Sequence, residues 1–584
     1  MDFINGPILV VSLLFVLSIL TSLVSNRANI PLILVFLCIG LIVGDVSAGR
    51  VLNELHHPKV AFFIGSMALA LILFDSGYQT TFKSLKKTAT PSLVLSSVGV
   101  FLTSLFLAPA THYILDIGWL DSFLLASIIG STDSASVFFL LSKGGVCVRE
   151  KIKSTLEVES GSNDPMAIFL TFSFISIIIG KHDIFSFYLV GNFFLQMGIG
   201  ACMGIALGYL IKWVLDKASL DTALYPILVL CMAMTGFSVT NMFLGSGFLA
   251  LYIAGFLVGN LKVQGSHQIL RFQSTLSWFS QIVMFLTLGF FADIQKFPNL
   301  IVPSLLTGLF LILIARPLAV FICLAPFKYR LNEKIFISFV GLRGATSILL
   351  ALAPLVFDLP SAEKIFSVTF LMVLVSLGIQ GFLMVPFARL CRVDLPIRER
   401  PPIKTEIDLP GMKDSFLVVY KLTEDSPVVC GEKMPKWVRP IAVHRGNMAY
   451  NGKNIKNFKS GDRVYFYVPN EAQMGELDKL FGGGILSETE APLGDFVVSP
   501  MATLNDLKFF YGINVSEESS SKTLKELLED NFSDLETGDR FSLGLIELVI
   551  RKVENGEVVE IGIALESDKN RKAKKIQFVQ KKKI

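Results

Sequence analysis

157-EVESGSNDPMAIFLTFSFISIII-179 is the stretch that decides the fold. From Phe169 onward it is the apolar run of a lipid-spanning helix, yet its first half carries Glu159, Asn163 and Asp164 in the same segment. Inserting one charged side chain at membrane depth costs about 2.5 to 3.5 kcal/mol, so charges kept there mark a function. On a helix Glu159 and Asn163 share a face, while Asp164 lies about 140° round from Glu159 and shares its face with Ser160. Two acids in one helix therefore look in different directions, one available for a structural pair and the other for a watery cavity.

The rest of the chain supplies the membrane. Hydrophobic residues make up 52% of 584 positions and charged ones 17%, with a mean hydropathy of +0.61, outside the range of a soluble enzyme of this length. A net charge of +4 is too small for a nucleic-acid partner, and the basic end 569-KNRKAKKIQFVQKKKI-584 reads as a solvated or headgroup-attracted tail. Seven cysteines without a CxxC pair read as apolar fillers and imply neither disulfides nor zinc. The first apolar run follows an acid and lacks a cleavage signal, so it is expected to remain as the first span.

Runs of about 20 apolar residues number about thirteen. They lie near 7–25, 29–48, 60–80, 91–114, 120–142, 155–180, 184–213, 220–236, 238–260, 276–292, 299–326, 334–357 and 364–390, the eighth and ninth separated by a polar break around Asn241. Lys and Arg collect in alternate loops, from Arg27 and the Lys83, Lys86, Lys87 group to Arg389, Arg392, Arg398 and Arg400. That places the N-terminus outside and the C-terminus in the cytoplasm.

Polar islands interrupt four of these runs: 71-LILFDSG-77 with Asp75, 128-IIGSTDSASV-137 with Thr132 and Asp133, the opening stretch, and 339-FVGLRGATSI-348 with Arg343. GSTDSAS and GLRGATS are poor helix material, because Gly and hydroxyl side chains compete for backbone hydrogen bonds. Broken helices at matching places in two three-span groups mark binding sites in secondary transporters, and here they fall in the fifth and twelfth spans. Arg343 needs an acid at membrane depth and Glu159 is the expected partner, the alternative being that Arg343 snorkels to an interface. Asp164 and Asp133, with Asn163, Thr132 and Ser160, then form the expected ion site. A carboxylate near the midplane holds either a proton or an alkali cation, and that competition with alternating access suffices for cation/proton exchange.

Beyond residue 395 the composition becomes that of soluble α+β modules. Strands are expected at 415–422 and 463–469, a helix at 471–482, a linker at 482–494, helices near 502–511 and 523–531, and a hairpin turning at Asn555-Gly556.

ESGSNDP together with GLRGA resembles the monovalent cation:proton antiporters of the NhaP and eukaryotic sodium/proton exchanger branch, across essentially the whole membrane body. The resemblance implies a thirteen-span α-helical fold with inverted repeats and broken helices, a homodimer, and a core moving against a dimerisation domain. It implies that Asn163 and Asp164 carry the ion, that Thr132 and Asp133 lie where broken helices cross, that Glu159 and Arg343 form an internal ion pair, and that Asp75 is a cytoplasmic-funnel acid. Asn163 before Asp164 resembles the electroneutral members. In the tail, 426-SPVVCGEKMP-435, 442-AVHRGNMAYNG-452 and 458-FKSGDRVYFYV-468 are similar to the C-terminal subdomain of TrkA and RCK-type regulatory proteins, and residues 538–565 resemble the transporter-associated domain of CorC and HlyC. The combination resembles bacterial potassium/proton antiporters of the NhaP type, with three domains at 1–395, 401–483 and 494–584, in the inner membrane. Potassium or sodium and protons are the implied partners. No GxGxxG follows a strand, so no nucleotide cofactor is expected, and a small regulatory ligand of the tail stays unnamed.

Two other classes fit part of the pattern. Asp133 and Asp164 on consecutive spans could form an intramembrane aspartyl protease, but neither sits in a GxGD setting and Asn163, Arg343 and the tail would be unexplained. A gated channel with a sensing tail would want a TVGYG-like filter, which is absent from the sequence.

Overall fold

The computed structural model describes residues 9, 12–21, 31–46, 57–144, 146–180, 187–218, 221, 223–261, 263–391, 393–396, 403–408, 416–422, 426, 428–429, 439–446, 448–451, 458–468, 477, 481, 496–511, 522–531, 540–543, 546–554 and 557–565. The chain divides into two compact units, Met1–Asp394 and Leu395–Ile584.

The first unit is helical. After helical residues 12–21 come α1 Leu32–Val46, α2 Pro58–Gln79, α3 Phe82–Val94, α4 Val100–Leu115, α5 Trp119–Ile128, α6 Ser134–Lys143, α7 Glu150–Ile178 and α8 Phe187–Lys217. These are followed by α9 Leu224–Met242, α10 Gly247–Asn260, α11 Ser266–Phe291, α12 Ile301–Phe310, α13 Arg316–Cys323, α14 Leu331–Phe339, α15 Ala345–Val356 and α16 Ala362–Leu390. Among the described residues eight helices are long and apolar enough to cross a membrane, and shorter apolar helices fill between them.

Two groups of helices share a pattern. In each, a π turn joins two helices into one rod, Leu95–Gly99 between α3 and α4 and Leu311–Ala315 between α12 and α13. Next comes a pair of short helices split by an unwound segment, at 129–133 between α5 and α6 and at 340–344 between α14 and α15. A 29-residue helix follows, α7 in the first group and α16 in the second. The unwound segments are the glycine- and hydroxyl-rich stretches GSTDS and GLRGA, whose side chains offer the backbone other partners than a helical ladder.

Some boundaries differ from the sequence expectation. The eighth and ninth spans part at residues 243–246, after Asn241 rather than around it. Asn241 stays helical and its Oδ1 accepts the Gly247 amide at 3.0 Å, while Ser246 caps α10 through the Leu249 amide. The helix α11 begins at Ser266, ten residues before the expected apolar run, since its first turns, SHQILRFQS, are too polar to read as part of that run.

In the second unit, β1 Ile403–Asp408, β2 Phe416–Lys421, β3 Ala442–Arg445, β4 Met448–Asn451 and β5 Arg463–Val468 form an antiparallel sheet of order β1-β2-β5-β3-β4. Val418, Tyr420, Val464 and Phe466 alternate into its core with period 2. A second antiparallel sheet, β6 Phe496–Val498, β7 Arg540–Leu543, β8 Ile546–Glu554 and β9 Glu557–Leu565 in the order β6-β9-β8-β7, shares a core with α17 Leu504–Tyr511 and α18 Leu524–Asn531. The expected helix at 471–482, apart from Leu477 and Phe481, lies outside the described residues, as do the linker at 482–494, the Asn555-Gly556 turn and the basic end.

Candidate functional site

The two unwound segments cross. The Asp133 amide donates to the Leu342 carbonyl at 2.9 Å, and a Cβ on Gly344 would stand 2.8 Å from that of Asp133, so only glycine lets the backbones come this close. The helix α7 runs beside the crossing and supplies the polar half-turn of the opening stretch.

Each residue of that half-turn has its own task. Asn163, fully buried, donates to the Thr132 hydroxyl at 2.6 Å. Ser160 Oγ donates to the Thr132 carbonyl at 2.9 Å and accepts the Ser134 amide at 3.1 Å, so it stitches the end of one unwound segment to the start of α6. Asp164 accepts hydrogen bonds from Ser131 in the first unwound segment and, at 3.2 Å, from Thr346 in the first turn of α15, just after the second. Asp133, expected as an ion ligand, turns its carboxylate to Ser136 and caps α6 through that residue's amide at 3.2 Å.

The expected Glu159–Arg343 ion pair is replaced by another. Glu159 pairs with Arg316, and both are almost wholly buried. Arg343 instead donates Nη1 to the carbonyls of Gly130 at 2.7 Å and Ser131 at 2.9 Å, while its backbone amide is held by Ser376 at 3.1 Å. The physical reason is placement. The π turn ahead of Arg316 adds a residue to the rod and delivers that guanidinium to the Glu159 face of α7, whereas Arg343 leaves its segment beside unwound carbonyls that have lost their helical donors. Arg316 went unnoticed in the sequence, although an arginine inside 311-LILIARPLAV-320 is as much a polar island as the other four. Ser131 and Thr346 were quoted within islands but not singled out.

A cavity of about 480 Å³ leads toward the crossing, lined among others by Asp75, Gln79, Ser136, Lys153, Glu157 and Ser277. Asp75 sits in its wall, accepting from Gln79 Nε2 at 3.0 Å and facing Ser274 Oγ at 3.5 Å. Among the described residues no cluster of His, Cys, Asp and Glu could hold a resident metal ion.

This architecture has relatives. Residues 11–390 match the family described as sodium/hydrogen exchanger, transmembrane. The chain belongs to the sodium/hydrogen exchanger family. Its members are secondary transporters, not enzymes. Similar exchangers include the K(+)/H(+) antiporter NhaP of Alkalimonas amylolytica, 34% identical over 96% of this chain and 99% of the relative. The K(+)/H(+) antiporter NhaP2 of Shewanella baltica is 33% identical over 97% and 99%. Among solved structures, the sodium proton antiporter MjNhaP1 of Methanocaldococcus jannaschii superposes with a TM-score of 0.58, 22% identity and coverage of 66% of this chain and 99% of that one, which shows a shared exchanger fold.

Proposed function

We propose that this chain exchanges a monovalent cation for a proton, one for one and with potassium preferred over sodium, by alternating access of Asp164 to the two sides of a bacterial inner membrane. The carrying observation is the setting of Asp164. It is 6% exposed and its partners among the described residues are hydroxyls, while Arg316 is engaged by Glu159 and Arg343 by carbonyls. A buried carboxylate without a counter-charge is strongly unfavourable, so Asp164 is neutralised by a proton or by a cation. The two exclude one another on one carboxylate, which couples their fluxes. Because Asn163 beside it is neutral, either loaded form carries the same charge, and exchange is electroneutral.

In this reading Ser131, Thr132, Ser160, Asn163 and Thr346 shape the ion site, Asp133 caps α6 at its edge, and Asp75 receives cations in the cavity. The cavity is placed on the cytoplasmic side, since Lys153 and the Lys- and Arg-rich loops lie at that end. The two matching groups support inverted repeats, and in this reading the chain has thirteen spans, the N-terminus outside and the C-terminus inside, and forms a homodimer. The preference for potassium is supported by the relatives named K(+)/H(+) antiporters, which match the tail as well as the membrane unit. The tail comprises TrkA-like and CorC-like regulatory modules. The family description and the sodium-named fold relative favour a second reading, sodium/proton exchange at the same site.

Dequenching of a pH-sensitive dye in vesicles, driven by potassium, sodium and lithium at several pH values, tests this. Half-maximal dequenching at lower potassium than sodium is expected. The reverse order selects the sodium reading, and no response to any alkali cation contradicts exchange.

A further inference from the structure

Tyr252 belongs to α10 but not to the core that α10 helps to build. The helices α8, α9 and α10 share one hydrophobic cluster with one face of α2, through Phe74, Ile211, Val229, Leu251 and Val258, while α7, the broken helices and the other face of α2, through Ala61, Leu69 and Leu73, build a different, larger one. The α2–α10 contact is backbone to backbone: a Cβ on Gly77 would collide with the Tyr252 carbonyl, and Cβ atoms on Gly255 and Gly259 with the carbonyls of Phe74 and Tyr78. Small residues that admit such approach make a stiff two-helix wall within a membrane.

From that wall Tyr252 reaches out to α7. The hydroxyl end of its ring lies directly against Gly161, where a Cβ would collide with Cε2 and stand 2.5 Å from Cζ and 2.8 Å from the hydroxyl oxygen. That hydroxyl lies 3.5 Å from the Thr80 hydroxyl, in the cavity wall. On α7 Gly161 is one turn beyond Glu157, which lines the cavity, and one turn before Asp164. The ring is 7% exposed. It therefore covers the backbone of the ion-bearing helix at the level between cavity and carboxylate, and it is carried by the other hydrophobic group.

We propose that Tyr252 is a positioning residue for exchange, the bearing against which α7 moves when Asp164 changes sides, and that Gly161 lacks a side chain so that this ring can lie close against the helix and slide. The proposal rests on the exchange reading above. Cores packed to crystal density do not deform continuously, so relative motion is confined to surfaces where two groups meet without interdigitating. The edge of an aromatic ring against a glycine backbone is such a surface.

The test uses full-length protein in vesicles, with cation-driven exchange as the readout. Gly161→Ala adds one methyl group under the ring, and the expected result is a maximal rate lowered about tenfold or more, with the apparent KM for potassium within about twofold. Gly161→Ala combined with Tyr252→Ala, which opens room for the methyl group, is expected to recover at least about half of the wild-type rate. A Gly161→Ala variant that exchanges at the wild-type rate overturns the proposal. So does a double variant as slow as Gly161→Ala alone, or a Gly161→Ala effect confined to KM. If Gly161→Ala fails to fold, Tyr252→Trp, which crowds the same contact from the opposite side, must slow exchange at unchanged KM; an unaltered rate overturns the proposal. Absence of exchange in wild-type protein contradicts the exchange reading itself, whereas an indifferent Gly161→Ala in an active exchanger contradicts only the bearing.

Discussion

Removing one partner of the buried Glu159–Arg316 pair distinguishes it from every other charge contact in the membrane unit. Both side chains are shielded from solvent, and the second carboxylate oxygen of Glu159 has no protein donor. Arg316→Met keeps much of the apolar stem but strands the Glu159 charge, and losses from such one-sided cuts run to about 3 to 5 kcal/mol. Glu159→Gln strands the guanidinium in the same way. Replacing both partners removes both charges and costs far less than the sum, since apolar replacement of a buried pair is often close to neutral. With single losses of about 3 to 5 kcal/mol each and a near-neutral double variant, the double-mutant cycle is expected to show a coupling of about 5 kcal/mol or more. The cycle between Glu159→Gln and Arg343→Met, whose side chains do not pair, is expected to show about 1 kcal/mol or less. Folded fraction after heating or denaturant in detergent, followed by size-exclusion fluorescence, measures both cycles. Strong coupling of Glu159 to Arg343 with additivity toward Arg316 would refute the assignment.

Arg343→Ala deprives the Gly130 and Ser131 carbonyls of a charged donor, worth about 1.5 to 3 kcal/mol per hydrogen bond, so the variant is expected to melt early; wild-type stability with only an altered cation affinity would contradict this. Thr132→Val removes the acceptor of the Asn163 amide and leaves a buried donor unmade, and cation affinity measured by dequenching is expected to fall about tenfold while the fold persists. In the tail, burial would raise the Asp462 carboxyl, but the paired hydrogen bonds from Arg445 at 2.8 Å and the Lys459 amide at 2.9 Å hold it below the usual carboxylate value. A depressed folded pKa stabilises above the unfolded value and is lost as pH falls through the folded one. The protection of the β3 and β5 amides, taken as exchange relative to the unfolded chain at the same pH, is thus expected to stay flat from neutral pH down to about 4 and to fall below it, with Arg445→Ala abolishing the difference.

The polar islands were legible because an ionisable or hydroxyl-rich stretch inside an apolar run is conspicuous whatever its partners. The unwound segments were legible for the related reason that GSTDS and GLRGA are poor at propagating a helix. Helical periodicity also separated the Glu159 face from the Asp164 face, and the structure sends those side chains to different partners. Periodicity does not say which of two arginines arrives at Glu159. That depends on the π turn at Leu311–Ala315, a one-residue adjustment with no composition signal. Asp133 shows a different limit: an acid beside an ion site and an acid capping the next half-helix have the same local sequence, and the cap is visible only in the Ser136 contacts. The tail strands followed from alternation, since Val418 and Tyr420 face inward on one strand as Val464 and Phe466 do on its partner.

In the proposed exchange Asp164 carries the cation and the proton in turn. Asp164→Asn keeps the volume and the hydrogen-bonding shape but holds no exchangeable charge, so purified protein in vesicles is expected to fold, to resist heating at least as well as wild type, and to show no potassium- or sodium-driven dequenching at any pH. Cation-driven dequenching retained by well-folded Asp164→Asn protein would contradict the account.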